Sequence, residues 1–318
     1  MTSAPAPFPD ADALTGVGPA PTPAARRARL RALLTGPATG PLLLPGVTDA
    51  LGARLVESAG FPAAYATGAG LANAQFGVPD LGLISLGEVA AHVDRVASAT
   101  TLPLVVDADT GFGGPVTAMR AVRMLERVGA AAIQLEDQEM PKRCGHFDRH
   151  ALIPAEHMAA KLVAARQALE DPATVLVART DARSAFGIDE ALRRASRYAD
   201  AGADVLFVEA PRTVGELERI GRELAGVPLV VNVVEGGKTP QLTLDEYAAL
   251  GFRVVLYANF LLRAVIRAGA DALAHLRGSG GSAAYADRMA TWQERQSLFH
   301  LPEFSAAEAH FDAAGVPS

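Results

Sequence analysis

The stretch VVDADTGFGG, residues 105–114, ends an apolar run on Asp107 and Asp109 and follows them with glycines that let the backbone turn tightly beside a ligand. Strand alternation points the two carboxylates to the same side. Later runs end on Glu136 and Asp137, on Arg179 and Asp181, on Glu209, on Asn232 and Glu235, and on Tyr257 and Asn259. Carboxylates that converge need a cation, because like-charge repulsion otherwise raises their pKa values and protonates some of them. An oxygen-rich set suits Mg2+, which keeps several of its waters. Each Asp alone has a second reading as the cap of the helix behind it; Asp107, Asp109 and Glu136 taken together favour a metal site. Arg179 carries the opposite charge. Its guanidinium can hold a substrate carboxylate through two parallel hydrogen bonds or pair with Glu136 or Glu209 as scaffold, and the two roles are compatible.

The chain has one cysteine, Cys144, in EDQEMPKRCGHFDRH (136–150), with Lys142, Arg143 and His146 around it. A free Cys is commonly a small buried hydrophobe. Here Lys142 and His146 favour the thiolate, so the thiol is placed to exchange a proton near neutral pH. The segment is longer than the roughly 2 to 6 residues usual between a strand and a helix, and excess loop over an active face is often a lid.

The elements that must position these residues repeat. Apolar runs at 41–46, 63–68, 103–109, 131–137, 174–181, 204–210, 228–234 and 253–259 alternate with segments such as TAMRAVRMLERVGA, whose apolar residues recur at three and four before a Gly. Near-continuous apolar strands joined by crossover helices are parallel and buried. Eight such units predict a (β/α)8 TIM barrel, in which strand ends distant in sequence meet on one face. A doubly wound open sheet is the alternative, but it would gather its polar residues near one switch point. Before the barrel, residues 1–24 are rich in Pro and Ala and are expected to form an extended arm, with a first helix near AARRARLRALL. The barrel domain is expected over 25–278. Residues 279–318 are expected to form a helical extension whose Trp292, Phe299, Phe304 and Phe311 bury against the barrel or another subunit.

The 318 residues, half of them hydrophobic, suffice for a large core. A net charge of -6 with no basic stripe argues against nucleic acid. No apolar run reaches the ~18 residues of a membrane span, and no secretory leader is visible. A cytoplasmic location is expected, and the single Cys fits a reducing compartment.

In order and spacing, DADTGFGG, EDQ running into PKRCGH, ARTDA, FVEAP and NVVEGGKTP resemble the phosphoenolpyruvate mutase and isocitrate lyase superfamily over about residues 40–300. The resemblance implies a barrel whose last helix is exchanged between subunits of a homotetramer. It also implies a Mg2+ shell of Asp107, Asp109 and Glu136 with Asp80 near the metal waters, Mn2+ being possible in its place. Thr67, Gly68 and Ala69 match the cradle of a 2-oxo or 2-hydroxy carboxylate, and Arg179 its clamp. Cys144 matches the acid/base, with Lys142 and His146 as catalytic neighbours and Gly145 beside the substrate. Glu209 and Asn232 match the far pocket. The Cys-Gly-His loop is similar to that of the carbon–carbon lyases acting on methylisocitrate or dimethylmalate. A carboxyphosphonoenolpyruvate mutase carries a similar loop, and an oxaloacetate decarboxylase or hydrolase uses the same metal and arginine. Thr67 and YANF (257–260) depart from the methylisocitrate lyase pattern, and Phe186, Tyr257, Asn259 and Phe260 are expected to set the pocket's volume.

The implied chemistry is cleavage of a 2-hydroxy acid. Tyr65 or a metal-linked carboxylate takes the hydroxyl proton, the C2–C3 bond breaks, and Cys144 protonates the departing carbanion, leaving a 2-oxo acid such as pyruvate. A purely structural assembly role is the remote alternative.

Overall fold

Each strand in this computed structural model, which describes residues 21–36, 40–142 and 151–313, is short, apolar and flanked by parallel neighbours. Eight of them close into a barrel in chain order: β1 Leu42–Val47, β2 Ala64–Ala66, β3 Leu104–Asp107, β4 Ala130–Glu136, β5 Val175–Thr180, β6 Val205–Val208, β7 Leu229–Asn232 and β8 Val254–Tyr257. Leu42 of β1 pairs with Val254 of β8 to complete the circle. That seam needs Gly46, where an added Cβ would lie 1.9 Å from the Ala258 carbonyl oxygen.

Alternation along the strands builds two cores. Inward residues Leu42, Leu44, Val105, Ala132, Val175, Val177, Val205, Phe207, Val230 and Leu256 fill the barrel. Outward residues such as Val106, Ile133, Leu135, Leu176, Val208 and Val255 pack in a second cluster with apolar residues of the surrounding helices. The lower end of the barrel is stoppered by α1 (Pro23–Thr35), whose Leu30 and Leu34 join the inner cluster. Its arginines tie it there: Arg26 donates to the Ala97 carbonyl at 2.7 Å, and Arg27 bonds the Ala130 carbonyl and pairs with Asp171 at 3.1 Å.

Helices α2 (Ala50–Ser58), α3 (Gly68–Leu71), α4 (Leu86–Ala99), α5 (Pro115–Arg127), α6 (Ala155–Ala168), α7 (Ala182–Phe186), α8 (Ile188–Asp200), α9 (Val214–Glu223) and α10 (Leu244–Ala249) alternate with the strands. Their ends carry ordinary start signals: capping boxes at Ser85/Glu88 and Thr243/Glu246, and Pro115 opening α5. Helix α11 (Phe260–Ser279) leaves β8. The compact barrel unit spans Pro23–Ala264. The second unit holds the rest of α11, a 3-10 turn Ala283–Arg288, α12 (Trp292–Leu298) and α13 (Leu301–Ala313). Within it, Tyr285 is buried against His275, and Trp292 and Phe304 are exposed. No helix among the described residues is long and apolar enough to cross a membrane.

Candidate active site

The parity that fills the barrel also sets the site. One inward step beyond Val105 is Asp107, beyond Gln134 is Glu136, beyond Val177 is Arg179, beyond Phe207 is Glu209, and beyond Val230 is Asn232. With Tyr65, Thr67, Ala69, Asp80 and Lys142 these residues line a cavity of about 100 Å3 at the C-terminal ends of the strands. Asp109 joins them by a different route from the expected alternation, because β3 stops at Asp107 and Asp109 has a left-handed backbone with φ 47°. Asp is among the few residues that tolerate this conformation. The amide of Asp109 donates to Asp107 Oδ1 at 3.2 Å.

Gly68 marks where the two carboxylates meet. A Cβ there would lie 3.1 Å from Asp107 Oδ2 and 3.3 Å from Asp109 Oδ1, and the Gly68 amide donates to Asp107 Oδ2 at 3.4 Å. Thr67 caps α3, its hydroxyl accepting from the Gly70 amide at 3.3 Å. Burial pushes the Asp109 carboxyl up to about 6 against the pull of Lys142, and burial also pushes Glu136 well above the usual carboxylate range. Lys142 pairs with Asp80 and, at 2.8 Å, with Asp109. Burial opposes its charge, but Asp109, Asp107, Glu136 and Asp80 outweigh that and hold the proton on.

These residues fit a hard cation. The donors are all oxygens, Glu136 Oε1 is buried with no hydrogen-bond partner, and two carboxylates are raised by burial. Among the described residues no group of three or more His, Cys, Asp or Glu is gathered closely enough to hold a metal ion; the fit rests on the oxygen donors and on the unpartnered Glu136 Oε1.

Arg179 faces three carboxylates. Asp181 takes its Nε at 3.0 Å and Nη2 at 2.9 Å, Glu209 lies 3.2 Å from Nη1, and Glu136 lies 3.4 Å from Nε. Phe207 supports the guanidinium, 5.2 Å from its ring centroid. Burial opposes the charge on Arg179, but Asp181, Glu209 and Glu136 hold the proton on. The scaffold reading is therefore present, through Glu136 and Glu209 and most strongly through Asp181. Asn232 points its amide nitrogen at Glu209 (3.4 Å), while its Oδ1 and that of Asn259 are buried without a hydrogen-bond partner.

Several expected members of the ring stand elsewhere. Asp137 and Asp181 do not line the cavity: Asp137 is one residue past Glu136 and has the outward parity, and Asp181 backs Arg179 from behind. Glu235 pairs with Arg263 at 3.1 Å. Tyr257 and Phe260 pack edge to face on each other and Phe186 is exposed beside Arg194; of the four residues expected to set the volume, Asn259 lines the cavity, together with Phe207, Val234, Leu256 and Ala258. Tyr65 does line the cavity, but burial raises its phenol far above its ordinary value, with Asp107 adding to that, and it holds its proton. Cys144, Gly145 and His146 lie outside the described residues.

Residues 30–277 match the family model described as phosphoenolpyruvate phosphomutase. The chain is 42% identical over 273 residues to the petal death protein of Dianthus caryophyllus, covering 86% of each. It is 38% identical to the 2,3-dimethylmalate lyase of Eubacterium barkeri, over 85% of this chain and 93% of that one. Among solved structures, a 2,3-dimethylmalate lyase described as a PEP mutase/isocitrate lyase superfamily member superposes with a TM-score of 0.84 at 34% identity, covering 89% of this chain and 94% of that one. Oxaloacetate acetylhydrolase with 3,3-difluorooxalacetate gives 0.83 at 32%, covering 94% and 100%. Phosphonopyruvate hydrolase with oxalate and Mg2+ gives 0.80 at 31%, covering 89% and 98%.

Proposed function

The chain belongs to the phosphoenolpyruvate phosphomutase family, within the PEP mutase/isocitrate lyase superfamily, and from that premise we propose that it is a Mg2+-dependent carbon–carbon lyase. It cleaves a 2-hydroxy di- or tricarboxylate of the dimethylmalate or methylisocitrate kind to a 2-oxo acid and a second carboxylate. The observation that carries this reading is that Arg179 lines the same cavity as Asp107 and Glu136, with Asp109 meeting Asp107 at Gly68. Likeness to 2,3-dimethylmalate lyase over 93% of that chain supports the reaction class.

Asp107, Asp109 and Glu136, with Asp80 behind them, would hold Mg2+, with Mn2+ as a substitute, and the bound ion would supply a Lewis acid that makes the substrate hydroxyl easier to ionise. The chain's own groups do the rest. Arg179 binds the C1 carboxylate with the part of its fork that Asp181 leaves open, and the Thr67–Ala69 backbone lies beside it. Tyr65 keeps its proton, so a carboxylate of the shell receives the hydroxyl proton. As C2–C3 breaks, the electron pair passes to the departing carboxylate-bearing carbon, and the Cys144 thiol protonates it, with Lys142 and His146 near it in sequence. Glu209 and Asn232 line the far end of the cavity. The apolar surface of the C-terminal unit, Trp292 and Phe304 included, supports assembly into a tetramer with exchanged helices, and a cytoplasmic setting accords with a single unpaired Cys.

A second reading, hydrolysis of oxaloacetate, is favoured by the likeness to oxaloacetate acetylhydrolase. One product assay over 2-hydroxy and 2-oxo diacids with Mg2+ separates them. Pyruvate from a branched malate supports the lyase, and oxalate from oxaloacetate with no cleavage of 2-hydroxy acids would replace it.

A further inference from the structure

Asp137 is wholly buried behind the cavity wall, between β4, β5 and α8. Four donors converge on its carboxylate: Thr180 Oγ1 at 2.7 Å, the Asp181 amide at 3.0 Å, the Tyr198 hydroxyl at 2.8 Å and Arg194 Nη1 at 3.0 Å. Three of them meet Oδ2 and one meets Oδ1, so both carboxylate oxygens are engaged. Arg194 supplies the counter-charge and donates as well to the Ile153 carbonyl at 2.9 Å. Two of the four donors belong to the turn that leaves β5, and Thr180 Oγ1 also accepts from the Ala182 amide at 3.2 Å. The same turn carries Asp181, which holds Arg179 by two parallel bonds.

An arginine among three carboxylates has more than one favourable arrangement. Glu136 and Glu209 are both within 3.4 Å of its nitrogens, and rotation toward either would swing the open part of the fork. A two-bond pairing fixes the guanidinium plane only if the carboxylate itself is fixed. The Asp181 backbone is held by a carboxylate that no solvent reaches. We propose that Asp137 is a positioning residue for Arg179: through Thr180 Oγ1 and the Asp181 amide it fixes the turn after β5, and with Arg194 as its counter-ion it sets the direction in which the guanidinium meets a substrate carboxylate. This rests on the reading of Arg179 as the carboxylate clamp.

The test uses the full-length protein with Thr180→Val, Thr180→Ser and Asp137→Asn. Oxalate binding in saturating Mg2+ is measured by calorimetry, and hydrogen exchange at the Arg179 Nε–H by NMR, that resonance being assigned by its loss in Arg179→Lys. Thr180→Val and Asp137→Asn are expected to weaken oxalate about tenfold and to speed Nε–H exchange by a similar factor, with Mg2+ affinity in the absence of oxalate unchanged. Thr180→Ser, which keeps the hydroxyl, is expected to match the wild type on both readouts. Wild-type oxalate affinity and exchange in a folded Thr180→Val overturns the proposal, whether or not Asp137→Asn folds. If the wild-type protein fails to bind oxalate with Mg2+, the lyase reading fails instead, and the Nε–H exchange rate alone decides the positioning role.

Discussion

The Lys142 ammonium lies 2.8 Å from Asp109 Oδ1, inside a cavity where it also meets Asp80. It is a cation among the carboxylates that a divalent ion would otherwise neutralise. Both partners are almost fully buried, so breaking the pair leaves a charge with little water to turn to.

Lys142→Met is therefore expected to destabilise the protein by about 3 kcal/mol in chelator and by much less with millimolar Mg2+. Denaturant unfolding in EDTA and in Mg2+ checks this. Equal losses under both conditions would contradict the shared role of the two cations.

The pH dependence follows from Asp109. Its folded pKa is about 6 against an ordinary 3.8, so between those values the folded state binds a proton that the unfolded chain has released. Its contribution to stability then falls as pH rises through that window, by up to about 3 kcal/mol. His92, buried and lowered to about 4, acts oppositely over nearly the same range, because its unfolded form takes up the proton. Their slopes offset each other in chelator. Mg2+ removes the Asp109 contribution and leaves that of His92, so the rise in melting temperature on adding Mg2+ should be larger at pH 7.5 than at pH 5. A shift independent of pH would rule this out.

Arg179→Lys keeps the charge but loses the two-bond pairing with Asp181 and, on the proposed reading, with a substrate carboxylate. A fall of roughly 10² in kcat/KM is expected, and steady-state kinetics on the substrate found in the product assay measures it.

Cys144→Ser should abolish nearly all turnover while leaving Mg2+-dependent binding of oxalate or pyruvate close to wild type. Cleavage at a near wild-type rate would exclude the thiol as the acid.

Gly46→Ala tests the closure of the barrel. With its new Cβ 1.9 Å from the Ala258 oxygen, the β1–β8 seam has to part, and a loss of ~3 kcal/mol or failure to fold is expected from overpacking. Circular dichroism and a melting curve decide it.

The barrel was legible because buried parallel strands write themselves as unbroken apolar runs, and all eight appear where those runs lie, six trimmed by one to a few residues and β1 and β4 shifted by one. The trimmed residues are often those at the candidate site, as with Asp109, Glu209 and Asn259, which follow the last ladder pair. Composition marks them and parity aims most of them, yet composition alone drew Asp137 into the ring against its outward parity, and alternation gave the wrong reason for Asp109, whose φ of 47° no pattern announces. Arg194 and Tyr198 were not legible at all. In DEALRRASRYADAGA they read as the ordinary residues of an amphipathic helix, and only the folded chain shows them closing on Asp137. The wall formed by Val234, Leu256 and Ala258 was hidden for the same reason: small apolar residues carry no signal until something faces them.

With Leu30 and Leu34 of α1 stoppering the far end of the barrel, the cavity formed by the described residues is a cul-de-sac. On the proposed lyase reading, a bond broken at its floor yields two fragments that leave past the same strand ends. The inner fragment can depart only after the outer one has cleared the way, so the order of product release is written into the depth at which each half of the substrate is held.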